Sequence, residues 1–237
     1  MIVAASRQRG VAVVGHRGAA GVAPENTLAG VRRAAAMGVD AVECDVRLSR
    51  DGRAVLMHDP TVDRTTDGTG TVEAMDFAEL RALDAGGEPV PELGELLGTL
   101  GGSCGLLCEL KVDAAAGAAV DAVVARGRLE GVVFISFSPG ALAGVRRADP
   151  RARLGLLLPP PAHDPGPAAE LGCELVGLHH RSASPDAAAA ARRRGLRVNV
   201  WTPNTPAEMR AAIALRPDSI TTDRPDLLLA RLGRRHD

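Results

Sequence analysis

Glu43 and Asp45 stand two apart in the apolar run DAVECDV, and Glu109 and Lys111 repeat that spacing in GLLCELK. Side chains two apart on a strand share a face, so the two acids point together while Val42, Cys44 and Val46 point to the other side. Carboxylates held side by side in apolar surroundings repel and lose hydration unless a cation sits between them. Two sources of that cation are open. One is a hard divalent ion, Mg²⁺ or Ca²⁺, held by Glu43, Asp45 and Glu109, with water and a phosphate oxygen completing its shell. The other is pairing of the acids with nearby Arg or Lys at the rim of the fold. His16 follows the run VAVVG and His58 follows RAVLM. Imidazoles titrate near neutrality, so one of such a pair can accept a proton from a nucleophile while the other donates one to a leaving oxygen; a lone histidine is more often structural. Arg17 and Lys111 suit an anionic phosphate, Arg17 through a bidentate contact, and Gly18 lets the backbone pass close to the site. His163, His179, His180 and His236 are weaker candidates, although His179-His180 ends an apolar run.

The elements that must position these groups read as repeated βα units. Eight apolar runs begin at Val11, Asp40, Gly105, Gly131, Arg153, Cys173, Leu196 and Asp218, and most are followed by a helical pattern. That alternation predicts a parallel sheet with helices outside, and eight units favour a closed (β/α)8 TIM barrel over an open doubly wound sheet. In a barrel of this kind the chemistry gathers at the C-terminal ends of the strands. His16-Arg17, Glu43, Asp45, Glu109, Lys111, Ser136, Trp201 and Thr222-Asp223 all fall there. Asn26 or Thr27, Ser184-Pro185 and Thr205-Pro206 read as helix starts. After the second run SRDG turns a hairpin, and a polar insertion over 59–90 interrupts the rhythm. The Ala-rich runs after Asp113 and Asp186 read as exposed helices. One domain over 1–237 accommodates everything.

Bulk properties exclude several classes. The 28 basic and 29 acidic residues leave a formal net charge of -1, so no global field draws nucleic acid or an anionic membrane, and a phosphate site must be local. MIVAASRQRG is too short an apolar run for a secretory segment, and no stretch reaches the roughly 18 apolar residues of a membrane helix. A soluble, cytoplasmic protein without a transmembrane segment is expected. Cys44, Cys104, Cys108 and Cys173 match no zinc pattern and read as reduced, buried thiols. A dinucleotide site fails on spacing: the glycines stand at 15, 18 and 21, and Pro24-Glu25-Asn26 separates them from the helix whose N-terminus would take the pyrophosphate.

The stretch from Gly15 to Gly70 resembles the opening signature of the glycerophosphodiester phosphodiesterases, with its His16-Arg17-Gly18, Pro24-Glu25-Asn26-Thr27, Glu43-x-Asp45 and His58-Asp59 elements. Further matches are CELK around Glu109, ISF at Ser136, VNVWTPN at Trp201 and ITTDRPD near the end, so the resemblance covers nearly the whole chain. VPELGELL departs from the family's more usual Pro-Thr-Leu-Glu run, away from the chemistry. The resemblance implies metal ligands at Glu43, Asp45 and Glu109, acid and base at His16 and His58, phosphate contacts at Arg17 and Lys111, and a pocket-lining aromatic at Trp201, which reads equally as barrel packing. It implies a small phosphodiester substrate and the products glycerol 3-phosphate and an alcohol; the nucleophile is either water or a neighbouring glycerol hydroxyl, which would give a cyclic phosphate first. A lysophospholipase D acting on longer lipids and a silent phosphodiester-binding barrel are the alternatives. Three Phe, one Trp and no Tyr give little surface for lipid docking, and no site residue is missing.

Overall fold

The computed structural model describes residues 10–234; most of the N-terminal run read above, and His236, lie outside the described residues. The strands are β1 (Ala12–Gly15), β2 (Ala41–Leu48), β3 (Ala54–Leu56), β4 (Gly105–Leu110), β5 (Val132–Ser136), β6 (Arg153–Leu158), β7 (Leu175–His179), β8 (Arg197–Trp201) and β9 (Ser219–Thr222). All but β3 pair in parallel, in the order β1-β9-β8-β7-β6-β5-β4-β2, and β2 pairs back onto β1 to close the barrel. Each of the eight expected runs contains one barrel strand. The hairpin is also present, β3 lying antiparallel on β2 with Val46 opposite Leu56.

Helices follow the strands: α1 (Leu28–Ala36) after β1, α2 (Phe77–Arg81) and α3 (Leu93–Thr99) after β3, and α4 (Ala115–Ala125) after β4. Then come α5 (Pro139–Ala148), α6 (Gly166–Glu170), α7 (Pro185–Arg193), α8 (Pro206–Ala214) and α9 (Pro225–Arg231), one after each remaining strand. Thr27, not Asn26, caps α1, its hydroxyl accepting the Gly30 N–H at 3.1 Å. Ser184 caps α7 in the same way, and Thr205 with Glu208 forms a capping box on α8. Caps of this type stabilise a helix by about 1 kcal/mol.

Strand alternation sorts the core into two shells. Val13, Val42, Cys44, Val46, Leu106, Cys108 and Phe134 face outward to the helices, while Val14, Ala41, Leu107, Val133, Ile135, Leu157 and Leu175 fill the barrel. Burial of each larger side chain contributes about 1.5–3 kcal/mol. The Ala-rich helices are not the exposed elements expected. Ala115, Ala116 and Ala119 in α4, and Ala187, Ala188 and Ala191 in α7, are buried, because a methyl side chain lets the helix lie close on the sheet yet is too weakly apolar to mark a face in sequence. The four cysteines are free and buried. The segment between β3 and α3 has a core of its own, built on Val55, Met57, Val62, Val72, Leu80, Ala85 and Val90. No helix among the described residues is long and apolar enough to cross a membrane.

Candidate active site

β2 and β4 run side by side with Asp45 in register with Glu109. Glu43, Asp45 and Glu109 alternate with the outward-facing Val42, Cys44 and Cys108, so all three carboxylates enter the barrel at its C-terminal end. One oxygen of each lies within 4.8 Å of the others, and all three residues are buried. Glu43 Oε1 is buried with no hydrogen-bond partner among the described residues. Burial, and then the charge of Asp45, push the Glu43 carboxyl up to about 8. Asp45 meets the same burial, but Lys111 and Arg17 outweigh it and hold that group down to about 2. Glu109 is raised, by burial and then by Asp45. Three crowded carboxylates with an orphaned oxygen form a hard, oxygen-only donor set that fits a divalent cation of the Mg²⁺ or Ca²⁺ kind.

Basic side chains also reach the acids, the second source of positive charge left open by the sequence. Lys111 Nζ lies 2.9 Å from Asp45 Oδ1 and bonds Glu109 Oε1. Arg17 places Nη1 2.9 Å from Glu25 Oε1 and Nε 3.2 Å from Asp45 Oδ2, so much of its guanidinium is engaged by protein. Its backbone turns through the left-handed region at φ 49°, a strain of about 1–3 kcal/mol, held by the Arg17 N–H donating to Glu43 Oε2 at 2.8 Å. Gly18 follows at φ 86°, and a Cβ there would meet the α1 backbone at 2.8 Å. Close backbone approach is thus what this glycine permits. Asn26 grips Asp45 twice: its Nδ2 donates to Oδ2 at 2.8 Å and its Oδ1 accepts the Asp45 N–H at 3.1 Å.

Each histidine is backed at Nδ1 by a carboxylate. His16 Nδ1 lies 2.6 Å from Asp223 Oδ1, and Asn204 holds Asp223 by accepting its N–H at 2.9 Å and donating to Oδ2. His58 Nδ1 lies 2.6 Å from Asp59 Oδ1. A carboxylate there makes Nδ1 the donor, which leaves Nε2 for the site. Burial lowers the His16 pKa, yet the Asp223 hydrogen bond and Glu43 charge outweigh it and the net is upward. At His58 burial prevails over the charge of Asp45, and the pKa falls. Environments that separate two imidazoles in this sense suit one to hold a proton and the other to take one.

A cavity of about 220 Å³ opens here, lined by His16, Arg17, Glu43, His58, Glu109, Lys111 and Trp201 among others. Seven of the eight expected site residues therefore share one pocket, and Asp45 lies fully buried against them. Trp201 does both things anticipated for it. It lines the pocket and packs on the barrel's inner cluster, and Phe137 stands edge-on to it at 5.5 Å to complete an apolar wall. His179 also meets Trp201, at 4.8 Å, from outside that lining. Ser136 donates to the Leu110 carbonyl at 2.8 Å and ties two strand ends together. Asn204 and Glu25 stood in the sequence only as members of the VNVWTPN and Pro24-Glu25-Asn26-Thr27 motifs, with no role of their own, and Asp59 and Asp223 only as neighbours of better candidates.

The family model of the glycerophosphoryl diester phosphodiesterases matches residues 16–227. A glycerophosphodiester phosphodiesterase of Caldanaerobacter subterraneus subsp. tengcongensis is 32% identical over 233 residues, covering 92% of this chain and 96% of that one. The structure of a glycerophosphodiester phosphodiesterase from Agrobacterium tumefaciens superposes with a TM-score of 0.82 at 33% identity, covering 92% of this chain and 99% of that one. An Oleispira antarctica phosphodiesterase in complex with the product sn-glycerol-3-phosphate superposes with a TM-score of 0.89 at 27% identity, covering 96% and 99%.

Proposed function

The chain belongs to the glycerophosphoryl diester phosphodiesterase family, and from that premise we propose a metal-dependent cleavage of glycerophosphodiesters to glycerol 3-phosphate and an alcohol, with His16 and His58 as acid and base. The observation that carries this reading is the convergence of Glu43, Asp45 and Glu109, one oxygen of each within 4.8 Å of the others, in a pocket also lined by both imidazoles. Glu43, Asp45 and Glu109 would hold a divalent cation, which when bound supplies Lewis-acid stabilisation of phosphoryl oxygen charge.

The remaining work falls to the chain's own groups. Lys111 and Arg17 add fixed positive charge beside the acids, where an incoming phosphate shares it. One Nε2 takes the proton of the attacking oxygen and the other protonates the departing alkoxide. Trp201 and Phe137 offer an apolar surface to the carbon skeleton and keep water from that side of the pocket. A single domain spanning the family match, with 59–90 as its insertion, is the unit we assign to this activity. Four free, buried thiols suit the reducing cytoplasm as its place of work. Incubation of the purified protein with glycerophosphocholine tests the proposal: turnover appears with Mg²⁺ or Ca²⁺ and is lost in EDTA. Equal turnover in EDTA removes the metal from the account.

A further inference from the structure

We propose that Arg64, which lies in the segment between β3 and α3, is a positioning residue for His58, acting by clamping the carboxylate behind it. The inference rests on the acid/base reading of His58 given above. Arg64 Nε donates to Asp59 Oδ2 at 2.6 Å and Nη2 to Asp59 Oδ1 at 3.2 Å. The other edge of the same guanidinium faces Glu25, with Nη1 2.9 Å from Oε2 and Nη2 2.8 Å from Oε1. Asp59 Oδ1 is the atom that holds His58 Nδ1 at 2.6 Å, and Glu25 Oε1 is the atom that holds Arg17 Nη1 at 2.9 Å. One planar fork therefore immobilises two carboxylates at once, one behind the imidazole and one behind the arginine that touches Asp45.

The clamp is needed because His58 and Asp59 are adjacent in sequence and their side chains keep 34% and 26% of their surface exposed. An Asp with no second partner exchanges its histidine for water at little cost, since exposed pairs are worth about 0–1 kcal/mol. Bidentate contact fixes the carboxylate plane, and with it the ring and tautomer of His58. His16 needs no such help, because Asp223 is secured from the barrel by Asn204. Arg64 is itself presented by an ordered turn. Thr66 N–H and Oγ both donate to the Val62 carbonyl, at 3.1 and 2.8 Å, and Val62 belongs to the insertion's own core. The insertion thereby contributes to the chemistry without lining the pocket.

The experiment compares wild type, Arg64→Gln, Arg64→Lys, His58→Ala and the double variant Arg64→Gln/His58→Ala, with glycerophosphocholine as substrate and thermal melts as the check on folding. Arg64→Gln is expected to lower kcat about 10–100-fold with KM within twofold. Arg64→Lys, which keeps the charge and loses the fork, should fall with it. The double variant should lie within a few-fold of His58→Ala, because the part of the Arg64 effect that runs through His58 has nothing left to position and only the Glu25–Arg17 branch remains. ¹⁵N-imidazole NMR reads the same point without turnover: His58 is a single Nδ1–H tautomer in wild type and a mixture in Arg64→Gln. Wild-type kcat in either Arg64 variant, a raised KM alone, an undiminished Arg64 effect in the His58→Ala background, or an unchanged tautomer overturns the proposal. Full activity in His58→Ala by itself sinks the acid/base reading instead, a result distinguishable from the NMR outcome.

Discussion

At the residue scale, the informative contacts are those behind the pocket. Asp223 sits 207 residues from His16 in the chain and 2.6 Å from its Nδ1. That hydrogen bond selects the tautomer with Nε2 facing the acids, and Asn204 fixes the carboxylate in turn. Asp223→Asn replaces an obligate acceptor by an amide that can turn a donor toward Nδ1. It should reduce kcat by about 10²–10⁴-fold, the usual worth of a positioned acid or base, with KM little changed. An Asp223→Asn enzyme of wild-type kcat would show that His16 needs no orienting partner. Arg17 was legible as a basic residue beside the site, but its hydrogen bond to Glu25 and its ion pair with Asp45 were not. Those contacts go with left-handed backbone at Arg17 and Asn26, a conformation that asparagine enters readily and arginine only rarely.

At the element scale, period-two alternation in β2 and β4 delivers acids to the interior and Val42, Cys44 and Cys108 to the helices. This much can be read from the residue string, because strand geometry has one period. Caps are similarly local. Glu208 Oε2 accepts the N–H of Thr205 at 2.9 Å and of Asn204 at 3.0 Å, and these bonds hold its carboxyl down to about 2, against an ordinary value of 4.5. The ionised group therefore stabilises the fold above pH 4.5, and that contribution is lost as pH falls through about 2. Glu208→Gln should lower Tm by about 1–3 °C at pH 6, and the gap to wild type should close as both are acidified toward pH 2. A gap independent of pH would assign the effect to packing. The burial of Ala187, Ala188 and Ala191 lay beyond such local reasoning, since which face of α7 is covered depends on where the barrel wall stands.

At the scale of the whole molecule, closure of β1 onto both β2 and β9 draws His16, Glu43 and Asp223 to one rim. The same closure packs like charges together, and a bound cation should repay that repulsion. Mg²⁺ or Ca²⁺ at a hundredfold excess over Kd adds about 2.7 kcal/mol and should raise Tm by about 5–10 °C. Glu43→Gln should abolish most of that rise, yet melt above wild type in EDTA at neutral pH, because it removes the cost, felt above pH 4.5, of holding in the fold a carboxyl that burial and Asp45 push up to about 8. Wild-type melting indifferent to both ions would count against the site. The sequence by itself determined the eight βα units, the hairpin, the inward pair Glu43 and Asp45, and the family, because strand period, capping and linear motifs are local properties of the chain. Only the tertiary structure decided that Asp223 backs His16 and that Arg64 ties Asp59 to Glu25. Such partners are chosen by barrel closure and by the packing of the insertion, which bring together residues whose separation along the chain carries no record of their contact.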